Sequence, residues 1–322
     1  MTTPAPAPAP LEDAHLATRR ITRLSVGVAV VLIAMKAFAL GASGSVSILA
    51  TLADSTLDLI ASLATFFAVR WAAAPADPEH RYGHGKAEAL AGLVQAGLIF
   101  ASAVFIGWEA VQRIFDPRPV AAGGWAVGVV LASIAVTLWL VWMQTQALKK
   151  TASLAVAGDR AHYAADLAAN VVVLIGVISG AYLGAPGLDA AAGLVVAVWL
   201  FWGAITLLRE SADHLLDHAG PEEARVAITA AVLADPRISG LHQLRTRMAG
   251  QVLIVQMHVD LDPTLTLEAA HAIVVEAEQR IQAAFPHADI LIHADPRGRA
   301  EVHAARPEGA VEPLTIQSGP WS

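Results

Sequence analysis

The 322 residues are 56% hydrophobic and only 15% charged, with a mean hydropathy of +0.55, whereas a soluble domain carries about 25% charged residues. That argues against a soluble enzyme, and a formal net charge of -7 offers no basic footprint for nucleic acid. Cysteine is absent, which excludes disulfides and thiolate metal sites and leaves His, Asp and Glu as the only strong metal ligands.

In chain order, the first 20 residues include the run APAPAPAP and read as a disordered, polyproline-like tail. Six apolar stretches follow, over about 22–42, 46–70, 87–109, 122–147, 155–183 and 188–209, each near the ~20 residues that a spanning helix needs. The first is too long for a signal peptide, and no small-residue cleavage site follows a short apolar core. Charge then changes abruptly: 19 charged residues lie between 24 and 208, against 25 in the shorter stretch 209–322. A transmembrane part over 21–210 therefore gives way to a small polar domain over 211–297 and a flexible tail over 298–322.

Within the polar domain, EEARVAITAAVLA and TLEAAHAIVVEAEQRIQAAF repeat apolar residues at helical spacing. LHQLRTRMAG and QVLIVQMHVDL alternate around a glycine turn, and ADILIHADP makes a last strand. The expected fold is an α-helical membrane protein, a six-helix bundle followed by an αββαβ domain on an open sheet.

Lys and Arg bias sets orientation. The N-terminal segment has Arg19, Arg20 and Arg23, the second-to-third connection Arg70, Arg81 and Lys86, the fourth-to-fifth Lys149, Lys150 and Arg160, and Arg209 closes the sixth span. The alternate connections hold only Arg113 and Arg118. Both termini and the polar domain are thus expected in the cytoplasm.

Ionisable groups inside a bilayer are costly and usually functional. Those well within the spans are Lys36, Asp54, Asp58, His162 and Asp166. Asp54 and Asp58 are spaced i, i+4, as are His162 and Asp166, so each pair shares one helix face. At 1.5 Å per residue, Asp54 and Asp58 lie ~12 and ~18 Å from the outer surface. On the antiparallel fifth span, His162 and Asp166 lie ~20 and ~14 Å from it across a ~30 Å core. The four therefore fall in one layer. Three carboxylates and an imidazole suit a tetrahedral divalent metal such as Zn²⁺; a proton relay or polar glue between helices uses the same residue types. Lys36, in the outer half of span one, reads as structural and able to snorkel.

The connection PADPEHRYGHGKAE supplies Asp77, His80 and His84, a spacing that could gather three ligands but also suits a solvated loop. Eight of the twelve histidines follow Arg209. His242, His258, His271 and His293, with Asp295, fall in or near the strands of the polar domain, where metal binding competes with ordinary surface roles.

Taken together, GSVSILATLADSTLD, PADPEHRYGHGKAEAL, DRAHYAAD, LLDHAGPEE, LHQLRTRMAG and LIHADP resemble the cation diffusion facilitator family, in particular its YiiP/FieF-type bacterial zinc and ferrous-iron efflux members, over about residues 20–296. The resemblance implies a transport site at Asp54, Asp58, His162 and Asp166, a loop site at Asp77, His80 and His84, and a cytoplasmic binuclear site at His242, His258, His271, His293 and a bridging Asp295. It further implies a Zn²⁺-exporting homodimer in the bacterial inner membrane whose metallochaperone-like C-terminal domains meet in the cytoplasm; charge balance adds the expectation of proton antiport, since three carboxylates in a low-dielectric layer must hold protons that a metal displaces. Cd²⁺ should be admitted, because Asp54 stands where the family pattern associates histidine with rejecting it; Fe²⁺ and Mn²⁺ stay open. Rival readings are a membrane metal sensor without transport, a proton-coupled transporter of an organic solute, and an iron or manganese transporter of the same family.

Overall fold

A computed structural model describes residues 11–43, 46–115, 124–178, 188–299 and 316–317. The chain divides into two compact units, Met1–Leu215 and Leu216–Ser322. Most of the two expected tails, residues 1–10, 300–315 and 318–322, lies outside the described residues.

The first unit contains α1 (Leu11–Ser43), α2 (Val46–Ala72), α3 (Ala87–Phe115), α4 (Gly124–Leu148), α5 (Leu154–Ile178) and α6 (Leu188–Leu215). Residues 11–20, expected in the disordered tail, are helical instead. The reason is periodicity: Ala14 and Thr18 begin a buried spine that continues through Thr22, Ser25, Ala29, Leu32, Lys36 and Ala39, so the inward face of α1 runs on past the arginines. Its hydroxyls turn back onto their own helix, Thr18 Oγ1 donating to the Ala14 carbonyl at 2.8 Å and Ser25 Oγ to the Ile21 carbonyl at 3.2 Å.

Among the described residues, five helices are long and apolar enough to cross a membrane, in α1, α2, α3, α4 and α6. α5 is not one of them. Its first two turns and middle carry Asp159, Arg160, His162, Asp166 and Asn170, and its unbroken apolar run VVVLIGVI comes only at the end. The bundle is apolar outside and polar within. Phe38, Phe67, Phe105, Trp108, Trp142, Val195 and Trp202 are exposed, whereas Ser55, Ser62, Thr65, Gln95, Ser133, Thr137, Gln144 and Asp159 are buried. Exposed apolar surface on that scale needs a covering medium, and for helices of this length it is lipid.

Small residues let these helices approach closely. At Gly92 of α3, a Cβ would stand 2.5 Å from Ser211 Oγ of α6. Ala96, Ile99 and Ala103 of α3 continue that contact against Leu200, Ala204 and Leu207 of α6 and Ala165 of α5. On the other side of α5, Tyr163 packs with Val28 and Leu32 of α1 and Leu140 of α4.

The second unit contains α7 (Glu222–Leu233), β1 (Gly240–Ala249), β2 (Val252–Leu261), α8 (Leu267–Ala284), β3 (Asp289–Pro296) and β4 (Ile316–Gln317). The sheet order is β3-β2-β1-β4. β1 and β2 form an antiparallel hairpin that turns at Gly250, whose φ of 61° suits glycine. α8 is the crossover that makes β2 and β3 parallel, and it starts at Thr266, whose Oγ1 accepts from the Ala269 amide. The core packs Ile228 and Val232 of α7 and Ile273, Ala277 and Ile281 of α8 onto Leu241, Val255, Met257, Val259 and Ile292 of the sheet. Because strand side chains alternate, the neighbours His258, Asp260, His293 and Asp295 fall on the opposite face of the sheet. β4 corrects the expectation of a flexible tail throughout 298–322, since Ile316 pairs with Leu241. The same edge of the sheet is bridged further along β1, where Arg247 pairs with Ala219.

Candidate metal centres

The buried cluster of the first unit joins α2 to α5. His162 Nε2 lies 3.1 Å from Asp58 Oδ1 and 3.6 Å from Asp166 Oδ2. One ligand atom from each of the three stands within 4.8 Å of the others. For bonds of about 2.1 Å, tetrahedral ligands are about 3.4 Å apart, so the two separations from His162 are compatible with ligands of one ion, and the 3.1 Å contact with Asp58 is a hydrogen bond as the site stands. Asp58 and His162 are each 5% exposed. The buried Asp166 Oδ2 and His162 Nδ1 have no hydrogen-bond partner, and an unsatisfied carboxylate oxygen at this depth is costly unless a cation or proton answers it. Asp54, one turn before Asp58, is outside this trio and its side chain is exposed. The structure thus unites three of the four residues expected there.

Beneath the cluster, on the N-terminal side of His162, sits a polar network that sequence reasoning did not single out. Asp159, 1% exposed, accepts from Ser62 Oγ at 3.2 Å and from Gln144 Nε2 at 2.8 Å. Gln144 also reaches Ser25 Oγ at 3.1 Å, and Tyr163 OH lies 2.9 Å from Ser62 Oγ. Four helices meet on one carboxylate. The available signal was spacing, because Asp159 precedes His162 by three residues and therefore shares its face. Lys36 departs from expectation as well: it does not snorkel, but is 6% exposed with Nζ 2.6 Å from Ser55 Oγ and 3.1 Å from the Thr51 carbonyl of α2.

In the connection between α2 and α3, Asp77 gathers both histidines. Its Oδ1 accepts from the amides of His80 at 2.6 Å and Glu79 at 2.9 Å. Its Oδ2 lies 3.2 Å from His84 Nε2, and His80 Nδ1 is 3.5 Å from Oδ1. Gly83, at φ 77°, bends the chain so that His84 returns toward Asp77. The amide hydrogen bond from His80 holds the Asp77 carboxyl below the usual carboxylate range, which favours the ligating form. Trp71 flanks the pair, its ring 5.7 Å from that of His84.

On the open face of the sheet, register aligns the third centre. His242, His258 and His293 occupy one row across β1, β2 and β3, and Gly240, Asp260 and Asp295 the next. Asp295 Oδ2 is 2.9 Å from His258 Nδ1 and 3.2 Å from His242 Nε2, while its Oδ1 is 3.1 Å from His293 Nε2. One carboxylate therefore faces three imidazoles with both oxygens, the disposition a bridging ligand needs. The ligand atoms that gather within 4.8 Å are those of His242, His258 and Asp295; His293 touches Asp295 but is exposed and outside that trio, and His271 is exposed on α8, which within one chain packs on the other side of the sheet. Asp260, which sequence reasoning passed over, lies 3.6 Å from His242 Nε2. The i, i+2 spacing from His258 was the signal.

Residues 22–216 match the family profile of the cation efflux transmembrane domain, and residues 221–297 that of the cation efflux protein's cytoplasmic domain. The cation-efflux pump FieF of Cronobacter sakazakii is 40% identical over 269 residues, covering 84% of this chain and 89% of the relative. The chain belongs to the cation diffusion facilitator family. The FieF pump of Shewanella oneidensis is likewise 40% identical, over 85% of this chain and 93% of its own. Among solved structures, the metal-bound C-terminal domain of the CzcD transporter from Thermotoga maritima is similar over 24% of this chain and 93% of that chain, at 22% identity and a TM-score of 0.24. As a member of this family the protein is a membrane-embedded divalent-cation efflux transporter, and α5, for all its polar residues, lies inside the matched transmembrane domain.

Proposed function

We propose that the chain exports Zn²⁺ across the bacterial inner membrane in exchange for protons, as a homodimer with both termini and the C-terminal domain in the cytoplasm. The observation that carries this reading is the trio Asp58, His162 and Asp166, gathered between two helices of a transmembrane bundle with one ligand atom of each within 4.8 Å of the others. A sensor would need only the histidine-rich C-terminal cluster, so the buried trio favours translocation.

Charge balance supplies the coupling. Asp54, Asp58 and Asp166 together would place about -3 in a low-dielectric layer, so without metal some must hold protons. Metal ligation requires deprotonated carboxylates and a neutral imidazole, and binding therefore releases protons. His162, between two carboxylates, is the residue best disposed to carry a proton back. An exchange of one proton per Zn²⁺ works against an inside-negative potential at ~2.3 kcal/mol per 100 mV; two protons make it electroneutral. Cd²⁺ fits the same donors, and Fe²⁺ and Mn²⁺ are to be judged by measurement because affinity order does not set selectivity. The loop and sheet centres are read as regulatory or stabilising, cytosolic Zn²⁺ biasing the access equilibrium if its affinity differs between states.

The test is uptake of zinc, cadmium, iron and manganese into proteoliposomes by the wild-type chain and by Asp58→Ala and Asp166→Ala. Zinc uptake in the wild type and none in either variant, with both variants eluting as the wild-type oligomer, is the expected result. Normal zinc flux in either variant removes the site assignment.

A further inference from the structure

A lysine in the outer half of a spanning helix has an inexpensive option, which is to extend its stem to the headgroups. Lys36 does the opposite. It is 6% exposed and turned onto α2, where it donates to the Ser55 hydroxyl at 2.6 Å and the Thr51 carbonyl at 3.1 Å. Both acceptors are uncharged, and Ser55 is itself fully buried. Joining two helices does not require an ammonium: in this bundle Gln95 bonds Thr65 at 3.0 Å and Ser62 bonds Tyr163 at 2.9 Å with neutral groups. A buried positive charge is costly, so its position calls for an electrostatic reason.

That reason lies one residue away on α2. Ser55 follows Asp54 directly and precedes Asp58 by three positions, so the ammonium rests against the turn that bears both carboxylates. Its two acceptors, Thr51 and Ser55, flank Asp54 on α2, and Asp58 is grouped with Asp166 of α5. We propose that Lys36 is a fixed counter-charge of the transport site, setting how firmly a divalent cation is held and how readily it leaves. This rests on the transport reading above. With Asp54, Asp58 and Asp166 ionised and His162 neutral, Zn²⁺ leaves a net charge of about -1 on the site. Lys36 brings the loaded site to zero. It also repels the bound cation, and a site that must release its cargo on the far side cannot bind it too strongly. The same arithmetic favours a divalent ion over a monovalent one, which would leave the site negative.

The experiment is zinc flux against zinc concentration for the full-length chain in proteoliposomes, in the wild type, Lys36→Met and Lys36→Arg. Methionine keeps an unbranched stem one atom shorter and removes the charge, and arginine keeps the charge. Lys36→Met is expected to lower KM by about tenfold or more, from loss of like-charge repulsion, and to lower kcat because release slows. Lys36→Arg is expected to move both back toward the wild type. An unchanged or raised KM in Lys36→Met overturns the proposal. So does loss of a monodisperse protein in both Lys36→Met and Lys36→Gln, which would assign Lys36 to holding α1 on α2. A wild-type chain that moves no zinc would instead overturn the transport reading, whereas an active wild type with an indifferent Lys36→Met overturns only the role of Lys36.

Discussion

Asp295 is 5% exposed and serves three imidazoles with two oxygens, so it should matter more to the sheet centre than any one histidine. Asp295→Ala in the intact protein is expected to abolish high-affinity zinc binding there, while His293→Ala, which removes a ligand from one oxygen only, leaves one bound ion; equilibrium dialysis with the transport site disabled by Asp58→Ala distinguishes the two. Asp235 plays a structural part. It is bonded by Arg237 at 2.6 Å, and Arg280 lies 3.3 Å away, while Arg237 also reaches Glu276 on α8. The Arg237 hydrogen bond pulls the Asp235 carboxyl down to about 2. Its folded value is below its unfolded one, so its stabilisation is present above about pH 4 and is lost as pH falls through about 2. Asp235→Asn should therefore speed amide exchange in α8 at pH 7 and leave the difference from wild type smaller below pH 3.

At the scale of elements, close helix contact depends on missing side chains. A Cβ at Gly92 would stand 2.5 Å from Ser211 Oγ, so Gly92→Val should force α3 from α6 and cost about 1–3 kcal/mol, read as a lower melting temperature in detergent; an unchanged melting temperature would mean that the helices part without penalty. Which elements were legible in the sequence follows from how strongly each was patterned. Spans with long apolar runs could be located directly, and the i, i+4 pairs on α2 and α5 were readable because helix geometry fixes which residues share a face. The helical start at Leu11 was hidden behind Pro-Ala repeats and three arginines, though Ala14 and Thr18 keep the buried period. The sheet centre needed register: nothing local says that His242, His258 and His293 form one row, and the irregularity between His242 and Arg245 shifts any alignment made by simple alternation. The direction of Lys36 was likewise beyond the sequence, because a long flexible side chain can reach lipid or α2 from the same position, and the choice is made by Ser55 and Thr51.

For the whole molecule, the low overall charge conceals two unlike units, and its scarcity in the bundle is what gives each intramembrane ionisable group meaning. The polar residues of α5 that keep it from matching an ordinary spanning helix are those that build the proposed site: His162 and Asp166 stand with Asp58 in the buried trio, and Asp159 ties four helices together beneath them. Removing that tie should impair turnover without removing a ligand. Asp159→Ala is expected to lower kcat for zinc with KM changed less, since it leaves Ser62 and Gln144 without their shared acceptor; a KM increase as large as that of a ligand variant would instead make Asp159 part of the binding site. Exchange of zinc for protons is tested most directly by simultaneous measurement of zinc and proton movement in proteoliposomes with an imposed pH gradient. Zinc entry in the wild type is expected to be accompanied by opposite proton flow and to slow when the gradient is collapsed, and Asp166→Ala is expected to show neither flux. Zinc entry that ignores the gradient, or that persists in Asp166→Ala, would contradict such exchange at this site.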